Sequence, residues 1–231
     1  MKRLLRLTAF CLLGFLVSTV ALTLLLRFFP PLTSGLMMER RVESWFSSEP
    51  YQRRYQWAPI ENISPSLGVA VVAAEDQLFA EHAGFDWKAI EKAAIYNQKH
   101  KKTRGASTIS QQTAKNLFLW SGRNWFRKGM EVYFTILIEM LWPKERILEV
   151  YLNIIELGDG VYGAEAASQY FFKKSAAKLS PAEAALLAAV LPNPRVYQAN
   201  KPSGYIRGRQ RWILLNIQRL GGKNYIEELP R

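Results

Sequence analysis

Hydrophobic and polar positions divide the chain into one unbroken apolar run and a series of segments with helical period. Leu7 to Leu26 carries no charge and is mostly Leu, Val, Ala and Phe. Twenty residues at ~1.5 Å rise reach ~30 Å, the thickness of a bilayer's hydrocarbon core. From Ile63 onward the pattern is helical. Ser64-Pro65 predicts an N-cap with Pro at the first helical position ahead of Leu67 to Ala74. Thr108 and Gln111 can form a capping box, and Ser180-Pro181-Ala182-Glu183 is a full one ahead of Ala184 to Leu191. Arg127 to Leu141 and Tyr205 to Leu220 repeat apolar residues every three or four positions, and Lys144 to Leu157 predicts a helix that stops at Gly158. No sustained alternation predicts a strand. The expected fold class is mainly α, with one transmembrane helix ahead of the globular part.

Charge narrows what the globular part meets. Among 231 residues, Lys plus Arg number 31 against 19 acids, a formal +12. That balance implies an anionic partner: nucleic acid, an anionic membrane surface or a phosphorylated substrate. The apolar run helps choose. It follows Lys2, Arg3 and Arg6, exceeds the usual ~7–15 residues of a signal peptide, and leads to no small-x-small cleavage site. It therefore reads as a retained anchor with a cytoplasmic N-terminus and the remainder outside the membrane, although Arg27 reduces the contrast in charge. The expected division is a tail over 1–6, a membrane helix over 7–26, a membrane-proximal linker over 27–56 and a catalytic domain over 57–231. The aromatic and basic stretch Tyr51 to Pro59 suits either an interfacial collar or a linker packed on the domain. Cys11, the only cysteine, falls inside the apolar run, and the histidines are His82 and His100, so Cys- or His-based metal sites are not expected. Outside the membrane nucleic acid is a poor partner; phospholipid headgroups or a diphosphate match the charge better.

Three polar clusters carry the candidate chemistry. Glu75 and Asp76 sit side by side where an apolar helix ends, a position where carboxylates gain little from the helix dipole. A solvated helix end explains them as well as a functional acid pair does. Thr108, Gln112, Lys115 and Asn116 fall on one helical side, with Ser107 just before. This is either a solvated face or a row of donors for sugar hydroxyls and phosphate. Arg123, Arg127 and Glu131 are four residues apart, with Lys128 alongside. They form either an ion-pair ladder of ~0.2–0.5 kcal/mol per pair or a cationic wall for a diphosphate.

Taken together the clusters resemble the peptidoglycan glycosyltransferases in their monofunctional, membrane-anchored form. The first motif of that family matches Glu75, Asp76, Phe79, His82 and Gly84. The second matches Gly105, Ser107, Thr108, Ile109, Gln111, Gln112, Lys115 and Asn116, with Ser110 where the family often has Thr. The third matches Arg127, Lys128 and Glu131. The fourth runs from Lys144 through Glu149 and Tyr151 to Asn153, and the fifth from Gly163 to Glu183. The resemblance covers about Trp57 to Pro194. It implies a lysozyme-like α-helical catalytic domain with a smaller membrane-proximal lobe, and a mobile stretch over 87–104 near the bilayer.

The activity so implied is polymerisation of a lipid-linked disaccharide-peptide (lipid II) into β-1,4 glycan strands, with inversion and release of undecaprenyl diphosphate. Glu75 resembles the family's base. Glu131 would orient the cations or hold a divalent ion such as Mg²⁺, although no motif fixes a metal. Asp76, Ser107, Thr108, Gln112, Lys115, Asn116, Arg123, Arg127 and Lys128 are the implied substrate-binding residues. Implied partners are lipid II, the growing strand, membrane lipid and other cell-wall synthesis and division proteins, in the bacterial inner membrane. A lytic lysozyme-type muramidase and a non-catalytic membrane scaffold are the alternatives. Ser175-Ala176-Ala177-Lys178 fits the Ser-x-x-Lys pattern of transpeptidases, but without the companion motifs it reads as a loop before the Ser180 cap.

Overall fold

The computed structural model describes residues 1–46, 51–100, 105–122 and 124–230. It is built from α1 (Lys2–Phe28), α2 (Gly35–Ser44), β1 (Arg54–Tyr55), α3 (Pro65–Glu75), α4 (Trp87–Lys99), α5 (Ile109–Phe118), α6 (Trp125–Leu141), α7 (Lys144–Ile154), β2 (Glu156–Gly158), β3 (Val161–Tyr162), α8 (Ala164–Phe172), α9 (Pro181–Val190), α10 (Gly204–Arg219) and the short α11 (Asn224–Glu227), with single 3-10 turns at Ile60–Asn62 and Ala176–Lys178.

The helices α3 and α9 are apolar on every side, which marks a core helix or a membrane span. At 11 and 10 residues they reach only ~15 Å, half a bilayer. The structure buries them: Ser66 through Ala73 of α3 are all enclosed, and α3 packs against α9 and α10. Each fully buried Leu or Val contributes ~1.5–3 kcal/mol, so this layer dominates the core. Both expected capping boxes form, Thr108 with Gln111 and Ser180 with Glu183. Ser64 differs. It holds the N-cap position, but its hydroxyl donates to Leu179 O at 3.0 Å, a tertiary contact in place of a cap.

Helix α1 is long and apolar enough to cross a membrane. It lies along α6, where the Thr19 and Tyr133 hydroxyls share a hydrogen bond of 2.6 Å, Trp142 Nε1 donates to Thr23 O at 2.8 Å, and Arg27 donates to Leu141 O at 2.8 Å. Spacing by four puts these three polar contacts on one face of α1. Below them Arg146 of α7 donates to Leu26 O and Phe29 O, both at 2.8 Å, and stacks over Trp57. Helix α1 is thereby fastened to the globular part.

Two expectations need correction. The helix expected over Lys144 to Leu157 ends at Ile154, and Glu156–Gly158 pairs antiparallel with β3 across an Asp159-Gly160 turn in which Gly160 has φ +68°. Tyr51 to Pro59, read as collar or linker, contributes β1, which pairs parallel with β3 to give the order β1-β3-β2. Strands of two or three residues are too short to show a period of two. Trp87–Lys99, within the stretch implied to be mobile, is a helix capped by Asp86, which accepts from Ala89 N at 2.8 Å. Residues 101–104, with Lys101, Lys102 and Arg104, lie outside the described residues, as does Arg123.

Candidate active site

The site is assembled where α3 ends. Asp76 closes that helix, and its carboxylate accepts from Ile109 N at the start of α5 at 2.9 Å and from His82 Nε2 at 2.9 Å. A carboxylate at a helix N-terminus is favourable both as a hydrogen-bond acceptor and against the dipole. Thr108 accepts from Gln111 N and donates to Gly84 O at 2.7 Å. Gly84 has φ +84°, and a Cβ there would come 2.8 Å from Thr135 Cγ2, so the turn that meets Thr108 requires glycine. The first two sequence motifs are thus stitched together by Asp76, His82, Gly84 and Thr108. Thr108 is 2% exposed and Asp76 7%; both are committed to positioning α5.

That registration places Gln112, one turn into α5, against Glu75. Gln112 Nε2 donates to Glu75 Oε2 at 3.0 Å, and Tyr151 Oη donates to Gln112 Oε1 at 3.0 Å. On the other carboxylate oxygen, Arg209 Nη2 of α10 stands 3.8 Å from Glu75 Oε1. Burial pushes the Glu75 carboxyl above the usual carboxylate range; the Gln112 hydrogen bond and the Arg209 charge oppose that shift, Asp76 adds to it, and Lys115 opposes it weakly. Its side chain keeps 20% of its surface accessible, so a substrate can reach it. A carboxylate of raised basicity beside a cavity suits a general base.

Two cavities meet here, sharing Gln112 and Pro192 in their walls. One, of about 450 Å³, is lined by Lys115, Asn116 and Trp120 among others; the second, of about 1220 Å³, holds Glu75, Ser107, Lys92 and Trp212. Beyond Lys115 lies the third cluster. Arg127 Nη1 donates to Glu131 Oε2 at 2.7 Å and Lys128 Nζ to Glu131 Oε1. Glu131 is only 3% exposed while the Lys128 side chain keeps 41% of its surface accessible, so a buried acid is held by one largely covered and one partly exposed cation and not in the exposed ladder that spacing alone allows. Burial holds the Lys115 ammonium below its ordinary value; Glu131 opposes that, Arg127 and Lys128 reinforce it, and Glu75 opposes it. Lys115 thus lies within the electrostatic reach of both acids. Each Glu131 oxygen is thus engaged by a cation. Among the described residues no group of three or more His, Cys, Asp or Glu side chains stands ready to hold a metal ion.

The structure brings Glu75, Gln112, Lys115, Asn116, Arg127, Lys128 and Glu131 into one region. It also adds residues that sequence reasoning missed. Tyr151, matched in the fourth motif without a role, holds Gln112. Arg209, on α10, has no local signal at all. Arg40 of α2 and Glu156 of β2 line the smaller cavity and pair at 3.6 Å. The Ser175 decoy is the N-cap position of a single 3-10 turn, tied down by Ala176 N donating to Glu165 Oε2 at 2.7 Å.

The fold and site together fit a glycosyl-transfer class: a mainly α domain of lysozyme-like type in which Lys115 stands within electrostatic reach of both a part-buried carboxylate of raised pKa and the Arg127–Glu131–Lys128 cluster, preceded by one apolar helix. The chain belongs to the transglycosylase family, whose model matches residues 41–218. Relatives described as biosynthetic peptidoglycan transglycosylase include that of Pseudomonas fluorescens Pf-5, 54% identical over 94% of this chain and 91% of its own length. Those of Pseudomonas entomophila and Chromohalobacter salexigens are each 52% identical over 99% of this chain, covering 97% and 98% of the relatives.

Proposed function

We propose that this chain is a peptidoglycan glycosyltransferase that polymerises lipid II into β-1,4 glycan strands. The observation that carries the reading is Glu75, a part-buried but reachable carboxylate held by Gln112 on one oxygen and faced by Arg209 on the other, with Lys115 in electrostatic reach of both it and the Arg127–Glu131–Lys128 triad. Glu75 takes the proton of the acceptor sugar's 4-hydroxyl as that oxygen bonds to C1 of the growing strand. The C1–O bond to the diphosphate breaks, and undecaprenyl diphosphate leaves with the bonding electrons. One displacement inverts the anomeric centre. General base catalysis of this kind supplies ~10²–10⁴-fold. Arg127, Lys128 and Lys115, with Arg123, neutralise the leaving diphosphate through charge-assisted bonds, and Glu131 orients them. Ser107, Gln112 and Asn116 meet sugar hydroxyls; Asp76 and Thr108 act through the placement of α5. A divalent cation such as Mg²⁺, if used, would arrive with the diphosphate.

In this reading residues 1–6 are cytoplasmic, 7–26 cross the inner membrane, 27–56 lead out along its outer face and 57–231 form the extracytoplasmic catalytic domain. The partners are lipid II, the growing strand and membrane lipid, with other cell-wall synthesis and division proteins. The purified full chain, given lipid-linked disaccharide, should yield a ladder of glycan products on gels and release polyprenyl diphosphate. Cleavage of finished glycan without that release would instead indicate a lytic enzyme.

A further inference from the structure

We propose that the outward face of α10 around Tyr205, Gly208 and Trp212 is a binding platform for the glycan strand, continuing the groove that holds Glu75. Three observations converge on it. First, the face is continuous with the site: Arg209 and Trp212 line the large Glu75 cavity and also a further cavity of about 430 Å³ completed by Tyr205 and Gly208.

Second, the two oxygens of Glu75 look in different directions. Oε2 faces Gln112 of α5, the helix that carries Lys115 toward the Arg127–Lys128 cations, and Oε1 faces Arg209 of α10. A donor whose diphosphate is drawn to the α5 and α6 cations has its C1 at Glu75. Its polymerised sugars must leave by another side, and α10 is the helix on the Oε1 side. Helix α10 packs on α3 and α9, whereas the apolar α1 lies on α6. The exposed aromatics of α6, Trp125 and Phe126, are therefore on the element that accompanies the anchor; Tyr205 and Trp212 are not.

Third, the surface has the chemistry of a sugar site. Tyr205 and Trp212 are 55% and 46% exposed. They are two helical turns apart on one side, ~10 Å along the axis, which two successive sugar rings can span. Between them Gly208 leaves open space where any side chain would stand. Tyr197 braces the Tyr205 ring at a centroid distance of 5.6 Å. Pyranose rings linked β-1,4 offer flat C–H faces to aromatic rings and hydroxyls at their rims, for which Arg209 is the adjacent donor. The ligand class is therefore a β-1,4-linked glycan, recognised through its pyranose faces and hydroxyls without its lipid or diphosphate.

This inference rests on the glycosyltransferase reading, and the test separates the two. Calorimetric titration of the full chain in detergent with a soluble, lipid-free GlcNAc-MurNAc tetrasaccharide and hexasaccharide should show binding. Trp212→Ala and Tyr205→Ala should each weaken it about three- to tenfold, and Trp212→Phe should stay near wild type, all with unchanged melting temperature. In polymerisation assays the two Ala variants should give shorter strands. Undetectable binding by the wild-type chain, or equal binding by Trp212→Ala, overturns the platform even where the wild type polymerises lipid-linked substrate. Failure of the wild type to polymerise would instead remove the underlying function.

Discussion

Gln112 donates its side-chain amide to Glu75 Oε2 at 3.0 Å while its own carbonyl oxygen is held by Tyr151, so the carboxylate read as the base has a fixed neighbour on one oxygen and Arg209 on the other. Arg209 pulls the raised Glu75 pKa back toward the ordinary range. A base must be ionised to act, so activity falls as pH drops through that pKa. Arg209→Met should move the acidic limb of the kcat/KM profile to higher pH, with recovery of rate at alkaline pH. An unmoved limb would remove Arg209 from the tuning of Glu75.

Glu75→Gln tests function and stability together. Removing basicity should lower polymerisation at least ~10²-fold. The stability effect has the opposite sign. A carboxyl whose folded pKa lies above its unfolded value contributes stability that is present below the unfolded pKa and lost as pH rises through the folded one. Above that folded pKa the ionised, part-buried Glu75 is therefore a cost, and the Gln variant should melt there at the same temperature or higher. A clear fall in melting temperature would contradict the burial argument, and near-normal turnover would sink the assignment of the base.

Because Glu131 is buried, Arg127→Ala would leave it partly uncompensated and cost stability as well as activity. Arg127→Lys separates the two. It preserves the charge beside Glu131 but removes the planar fork that suits a diphosphate. Turnover should fall by roughly 10²-fold, in the range for losing one preorganised donor, while melting temperature changes little. Parallel losses would reduce the triad to a structural element.

Contacts between α1 and α6 should be measurable in detergent. Thr19→Val and Tyr133→Phe each remove one half of a 2.6 Å hydrogen bond. A hydrogen bond of this kind contributes ~0.5–1.5 kcal/mol, so each variant should lower the thermal midpoint. The double variant should lose less than the sum, because the second change removes nothing further. Strict additivity would mean that the two hydroxyls do not interact in solution.

A fluorescent β-lactam should not label the chain covalently. Ser175 holds the N-cap position of a short turn without a capping bond, and the next residue's N–H donates to Glu165. Labelling at Ser175 would overturn that expectation.

What the sequence determined by itself were the features whose physics is local. Capping boxes at Thr108–Gln111 and Ser180–Glu183 depend on residues three apart. The core helices α3 and α9 are legible from runs of apolar residues, and α1 from a run long enough for a bilayer. The Arg127–Glu131 pair is an i,i+4 relation. Motif spacing even singled out Asp76 and Thr108, though not that their side chains serve to register α5 on the end of α3. Tertiary structure alone decided the relations across the chain: Arg209 against Glu75, Tyr151 behind Gln112, the burial of Glu131, and α1 laid along α6. It also decided the sheet, since β1 is held in place by pairing to β3 and not by any preference of Arg54 and Tyr55. These contacts join residues far apart in sequence, and their energies come from packing and desolvation, which leave no periodic trace in the order of residues.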